Sequence, residues 1–131
     1  TKLPEVLEQV YAIGARYGFE IANIFHAGDG NMHPLIMYDS HQPGVLDEVE
    51  ACGAEILKVC VDAGGCITGE HGVGIEKRDH MPLMFSPAEL DQMKEVKRQF
   101  DPQWLLNGGK VFPLEEEGIP AGQVSLQAVA A

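Results

Sequence analysis

The segment Phe25-His26-Ala27-Gly28-Asp29-Gly30-Asn31-Met32-His33-Pro34 constrains this chain more than any other. Runs rich in β-branched and aromatic residues flank it, Phe19 to Phe25 before and Met32 to Tyr38 after. Two such runs around a Gly/Asp turn spell an antiparallel hairpin. Gly28 and Gly30 permit positive φ, and Asp29 tolerates turn conformations. Pro34 removes a ladder donor, which favours an edge or bulged position for the second strand.

Parity then decides what the hairpin can do. If the turn is Ala27 to Gly30, His26 faces Asn31 across the ladder. Asn31 and His33 share a face because side chains alternate with period two. His26 and His33 become diagonal neighbours, roughly 7–8 Å apart along the backbone. Imidazoles reaching out from there could share one metal ion through bonds of about 2.0–2.1 Å. A five-residue turn would put them on opposite faces. From spacing alone, two surface histidines beside a tight turn is the simpler reading.

The remaining chain reads as helices around this hairpin. Leu3, Val6, Val10, Ile13 and Tyr17 recur at helical spacing, with Pro4 suited to the first turn and Gly18 to the end. Pro43-Gly44 opens a second helix, whose face is Val45, Val49, Cys52, Ile56 and Val59 and which stops by Ala63-Gly64-Gly65. Cys66-Ile67-Thr68 reads as a short third strand, and Ile75 to His80 as a helical turn. Ser86-Pro87-Ala88-Glu89 is a capping box that starts a last helix, with Leu90, Met93, Val96 and Phe100 as its core face and Asp101-Pro102 as its end. From Pro113 the character changes, so residues 1–113 read as the domain and 114–131 as a tail. The order predicts an α+β fold: an antiparallel sheet with helices packed on one face, resembling half of a ferredoxin-like layout. Three strands make a thin sheet, so upstream strands are expected to complete it.

Composition narrows the partners. A net charge of -11 argues against a nucleic-acid groove, which Lys and Arg would line. Cys52, Cys60 and Cys66 form no C-x-x-C pair, and an odd, sparse set fits reduced thiols in a cytoplasmic protein. All three fall in apolar surroundings and are expected to pack as small hydrophobes. No apolar run approaches the roughly 18 residues of a membrane span, and no signal-peptide pattern opens the chain. Thr1-Lys2-Leu3-Pro4 runs straight into a helix and reads as a cut from a longer protein.

A second polar cluster lies in Gly64-Gly65-Cys66-Ile67-Thr68-Gly69-Glu70-His71-Gly72-Val73-Gly74. Glu70 and His71 stand between glycines, where backbone can approach a ligand closely. With His26 and His33, Glu70 would make a two-His, one-carboxylate set that leaves coordination positions open. His71 would be left for proton transfer. Taken alone, the segment is equally a glycine-rich loop with solvated charges. His41 and His80 read as exposed, the latter within a charged surface turn, Lys77-Arg78-Asp79. Trp104 reads as a core anchor, and Asn107-Gly108-Gly109-Lys110 as a plain turn.

Taken together, His26-Ala-Gly-Asp-Gly-Asn-Met-His33 and Gly69-Glu-His-Gly-Val-Gly74 closely resemble the signature motifs of flavin-linked oxidases of the vanillyl-alcohol oxidase superfamily. Within it the chain resembles the glycolate oxidase group, with D-lactate and D-2-hydroxyglutarate dehydrogenases as relatives, in register from about Tyr11 to Phe112. The resemblance implies that His26, His33 and Glu70 hold a divalent metal, zinc before manganese or iron. It implies that His71 is the general base, taking the hydroxyl proton of a 2-hydroxy acid while hydride passes to FAD, with Asn31 in the substrate vicinity. Asn107 and Lys110 lie in the terminal motif that contacts flavin; that motif usually reads Leu-Asn-Pro-Gly-Lys, and here Gly108 replaces the proline. FAD itself would be bound mainly by an upstream domain, which also carries the substrate-carboxylate arginines, so this chain alone is expected not to turn over. Partner subunits would account for any association with the inner membrane. The competing reading is a non-catalytic assembly module within a flavoprotein complex. Surface normally covered by the upstream part should be exposed here. Light scattering at high protein concentration is therefore expected to show self-association, and a clean monomer would count against it.

Overall fold

A computed structural model describes residues 2–114; the expected tail, beyond its first residue, lies outside them. The elements run α1 (Leu3–Tyr17), β1 (Glu20–His26), β2 (Asn31–Met37), α2 (Val45–Asp62), a 3-10 helix (Arg78–Leu83) and α3 (Pro87–Phe100). The chain divides into two compact units, with the boundary between His71 and Gly72. Among the described residues no helix is long and apolar enough to cross a membrane.

The first unit is a hairpin with two helices on one face. β1 pairs antiparallel with β2, from Glu20 opposite Met37 to His26 opposite Asn31, which fixes the four-residue turn. Gly30 takes φ +72° in that turn, and its N–H donates to the carbonyl of His26. Both strands begin and end within one residue of the expected limits. Val6, Val10 and Ile13 of α1 and Cys52 and Ile56 of α2 form the core, joined by Ile21, Met32 and Ile36 from the sheet. Burying such side chains supplies roughly 1.5–3 kcal/mol each. Gly18 caps α1 at φ +79°. Tyr17 donates from its hydroxyl to Glu55 at 2.7 Å, and Arg16 pairs with the same carboxylate, tying α1 to α2. Gly14 has a role that periodicity does not reveal. A Cβ there would fall 2.6 Å from Ile21 Cδ1, so its bare Cα lets the sheet approach the helix.

The α+β class is as the sequence predicts, and α1 and α2 pack on one face of the hairpin. The third strand is not as predicted. Cys66-Ile67-Thr68 forms no strand, and the sheet of the described residues has two strands. Strand propensity over three residues between glycines does not make a ladder; Ile67 instead serves packing, with 3% of its surface exposed. Cys52 packs in the core as expected, which pushes its thiol pKa up, and Cys60 packs against it; Cys66 departs from expectation and is exposed.

In the second unit α3 begins as the sequence predicts: the Glu89 N–H donates to Ser86 Oγ and the Ser86 N–H to the Glu89 carboxylate, with Pro87 at the first turn. Its apolar face is shorter than the periodicity suggests. Leu90 is buried, but Val96 and Phe100 are 62% and 84% exposed. Arg78 is not at the surface; its side chain is tucked in and donates to the carbonyl of Gly109 at 2.6 Å. His80 is half-buried in the 3-10 helix rather than exposed. The segment after α3 is organised by buried Asp101, whose carboxylate accepts from Lys97 Nζ and from the N–H groups of Leu105 and Leu106. Trp104 is half-buried between the Lys97 ammonium, 5.1 Å from its ring centroid, and Phe112.

The Lys97 bond, followed by the two backbone donors, holds the Asp101 pKa below the usual carboxylate range. A depressed folded-state pKa means stability that is present above the unfolded value of about 3.9 and lost as pH falls through the folded one. Trp104 is the chain's one tryptophan and reports on this unit. Asp101→Asn is expected to unfold more readily than wild type near neutral pH, with the gap closing as pH drops below about 4. Trp104 fluorescence during thermal unfolding checks this; a gap that persists unchanged into strong acid would contradict it.

Candidate functional site

Strand alternation divides the hairpin's residues between two faces. Ile21, Met32 and Ile36 face the helices. His26, Asn31 and His33 alternate with them and stand on the other face. His26 is opposite Asn31, and His33 is opposite Ile24, so the two histidines are diagonal neighbours. Their rings meet edge to face with centroids 5.5 Å apart. A one-residue slip would turn both toward the helices.

The loop after α2 completes the cluster. Gly64 at φ +91° stops the helix, and the N–H of Gly65 donates back to the Cys60 carbonyl. The chain then runs without regular structure to Glu70 and His71. Glu70 Oε1 lies 3.0 Å from His33 Nε2, 3.8 Å from His26 Nε2 and 3.5 Å from His71 Nε2. The His71 ring stacks on His33, with centroids 5.1 Å apart. His33 is the most enclosed of the three histidines, with its side chain 21% exposed.

The donor set fits a divalent ion. Ligand atoms of His26, His33 and Glu70 all lie within 4.8 Å of one another. Atoms bound to one ion at about 2.0–2.2 Å sit roughly 3–3.6 Å apart, which the Glu70 separations of 3.0 Å from His33 and 3.8 Å from His26 approach. Two imidazoles and a carboxylate suit zinc, manganese or iron, and three protein ligands leave positions open. His71 adjoins the set, 3.5 Å from Glu70, with its side chain largely solvent-exposed.

The other candidates fall elsewhere. Asn31 lies beside the cluster, with its amide against Gly69. His41 is exposed, as the sequence predicts, and caps Asp39 through its N–H and its ring; those bonds lower the Asp39 pKa. Asn107 and Lys110 are in the second unit. Asn107 is exposed at φ +50°, and Lys110 Nζ donates to its side-chain oxygen at 3.0 Å. Gly109 takes positive φ, but Gly108 does not, so the backbone there makes no demand for glycine in the place of the usual proline. Nothing in the motif spacing reveals Asn23, whose buried amide finds no hydrogen-bond partner among the described residues.

Comparison with known proteins identifies the family. Residues 1–111 match the family described as FAD linked oxidases, C-terminal domain. The chain is 48% identical over 111 residues to glycolate oxidase subunit GlcD of Escherichia coli K12, covering 85% of this chain and 22% of that protein. It is 40% identical over 119 residues to D-2-hydroxyglutarate dehydrogenase of Stutzerimonas stutzeri, covering 85% and 25% respectively. It is 34% identical over 112 residues to D-lactate dehydrogenase of Archaeoglobus fulgidus, covering 84% and 24%. The chain thus spans about a quarter of the length of the curated relatives it matches.

Proposed function

The chain belongs to the C-terminal domain family of FAD-linked oxidases, and we propose that residues 1–113 form the cap or substrate domain of an enzyme oxidising a 2-hydroxy acid to a 2-oxo acid. The observation that carries this reading is the convergence of His26, His33 and Glu70 with His71 beside them. Relatives named for glycolate, D-lactate and D-2-hydroxyglutarate share one reacting unit, a hydroxyl on the carbon next to a carboxylate.

In this proposal His26, His33 and Glu70 hold a divalent ion, zinc first. Bound there, the ion supplies an open Lewis-acidic position for oxygen atoms of the substrate. FAD, held mainly by the rest of the protein, supplies the two-electron acceptor. His71 takes the hydroxyl proton: its Nε2 stands beside the ligand set and it is not needed as a fourth ligand. His33 and Glu70 orient that imidazole through the stacked ring and the 3.5 Å contact. Asn107 and Lys110 approach the flavin, with Lys110 steadying the Asn107 side chain. The whole protein works in the cytoplasm with partner subunits, and its sheet is completed to a ferredoxin-like one by upstream strands.

Two measurements test the proposal. Elemental analysis of chelator-free protein is expected to find a divalent ion in wild type and to lose it in a His26→Ala, His33→Ala variant; equal metal content would sink the ligand set. With the upstream chain restored, His71→Ala is expected to cut kcat by about 10²–10⁴-fold, the usual contribution of a general base. Undiminished turnover would favour a purely structural role in assembly.

A further inference from the structure

Glu70 sits on a segment that no ladder or helix holds, yet its carboxylate must meet two histidines fixed by a hairpin. What sets its position is visible one residue earlier. A Cβ placed on Gly69 would fall 2.3 Å from Asn31 Oδ1, 2.7 Å from its Cγ and 3.1 Å from Nδ2. Real Cβ atoms do not approach that closely, so the Asn31 amide rests on the bare Cα of Gly69. Gly69 does not have positive φ, so its backbone conformation makes no demand for glycine. Gly72 and Gly74 in the same loop are the opposite case: φ is +82° and +57°, and nothing lies within 4 Å of a built Cβ. One glycine is required by contact and the other two by conformation.

Asn31 is also well placed on the hairpin side. It is opposite His26 and two residues from His33, on the same face as both. A single side chain therefore touches the loop next to Glu70 and adjoins both histidines on the hairpin.

We infer that Asn31 is a positioning residue: its amide, packed on Gly69, sets the distance of Glu70 from the His26–His33 pair. It acts as a spacer between hairpin and loop and is not itself a ligand. The inference rests on the reading of His26, His33 and Glu70 as a metal site.

The test uses the full chain and five proteins: wild type, Asn31→Ala, Gly69→Ala, the double variant and Glu70→Ala as the spectral reference. Zinc affinity is read by competition with a chromophoric chelator, and cobalt(II) absorption reads the coordination shell. Each single variant is expected to bind zinc about tenfold to a hundredfold more weakly, as displaced ligand supports generally do. The double variant is expected to be no weaker than the worse single one, because the methyl added at position 69 occupies space the Asn31 amide has left. The cobalt spectrum of Asn31→Ala should move toward that of Glu70→Ala. Losses that simply add, or an Asn31→Ala protein with wild-type affinity and spectrum, would overturn the inference; the latter holds even if Gly69→Ala does not fold. A wild-type chain that takes up neither ion would overturn the metal reading and this inference with it, whereas a wild type that binds normally isolates the fault to Asn31.

Discussion

The register of one hairpin governs the unit that carries the site. With His26 opposite Asn31, a period of two sends Ile21, Met32 and Ile36 to the helices and His26, Asn31 and His33 to the other face. The same register therefore builds the core and the site. Packing energy and ligand geometry are coupled: a slip that lost the histidine pair would also expose the apolar residues that Val10, Cys52 and Ile56 cover. The hydrophobic effect, which has no direction of its own, acquires one here through strand alternation, and the histidines inherit it.

The carboxylate side of the site has a different physical basis. Glu70 is delivered by a glycine-rich loop, and glycine there does two unlike jobs. Positive φ at Gly64, Gly72 and Gly74 bends the chain where other residues would be strained. Gly69 and Gly14 instead mark places where another group touches the backbone, the Asn31 amide in one case and Ile21 in the other. His71 on this loop is more exposed than His33 on the strand.

Much of this was legible in the sequence, for reasons that can be named. Helical spacing located α1 and α2, Ser86 and Glu89 announced the start of α3, and the Gly/Asp turn located the hairpin, while its parity is settled by the register of His26 opposite Asn31. Three features misled or were silent. Cys66-Ile67-Thr68 has strand-forming residues, but pairing needs a partner edge that local propensity does not encode. Val96 and Phe100 continue a helical stripe, yet periodicity shows which side of a helix is apolar and not whether anything covers it. Gly14 answers to Ile21 on the following strand and Gly69 to Asn31, 38 residues away, and helical or strand periodicity carries neither contact. Spacing left the two histidines ambiguous; it took the approach of Glu70 to within 3.0 Å of His33 to make a cluster of them.

The proposed chemistry depends on His26, His33 and Glu70 acting as one ligand set. X-ray absorption at the metal edge of the zinc-loaded chain tests that most directly. The shell is expected to contain two imidazoles and a carboxylate oxygen at about 2.0–2.2 Å, with further light-atom donors in the open positions and no sulfur. A shell containing a thiolate at about 2.3 Å, or one with fewer than two imidazoles, would contradict it.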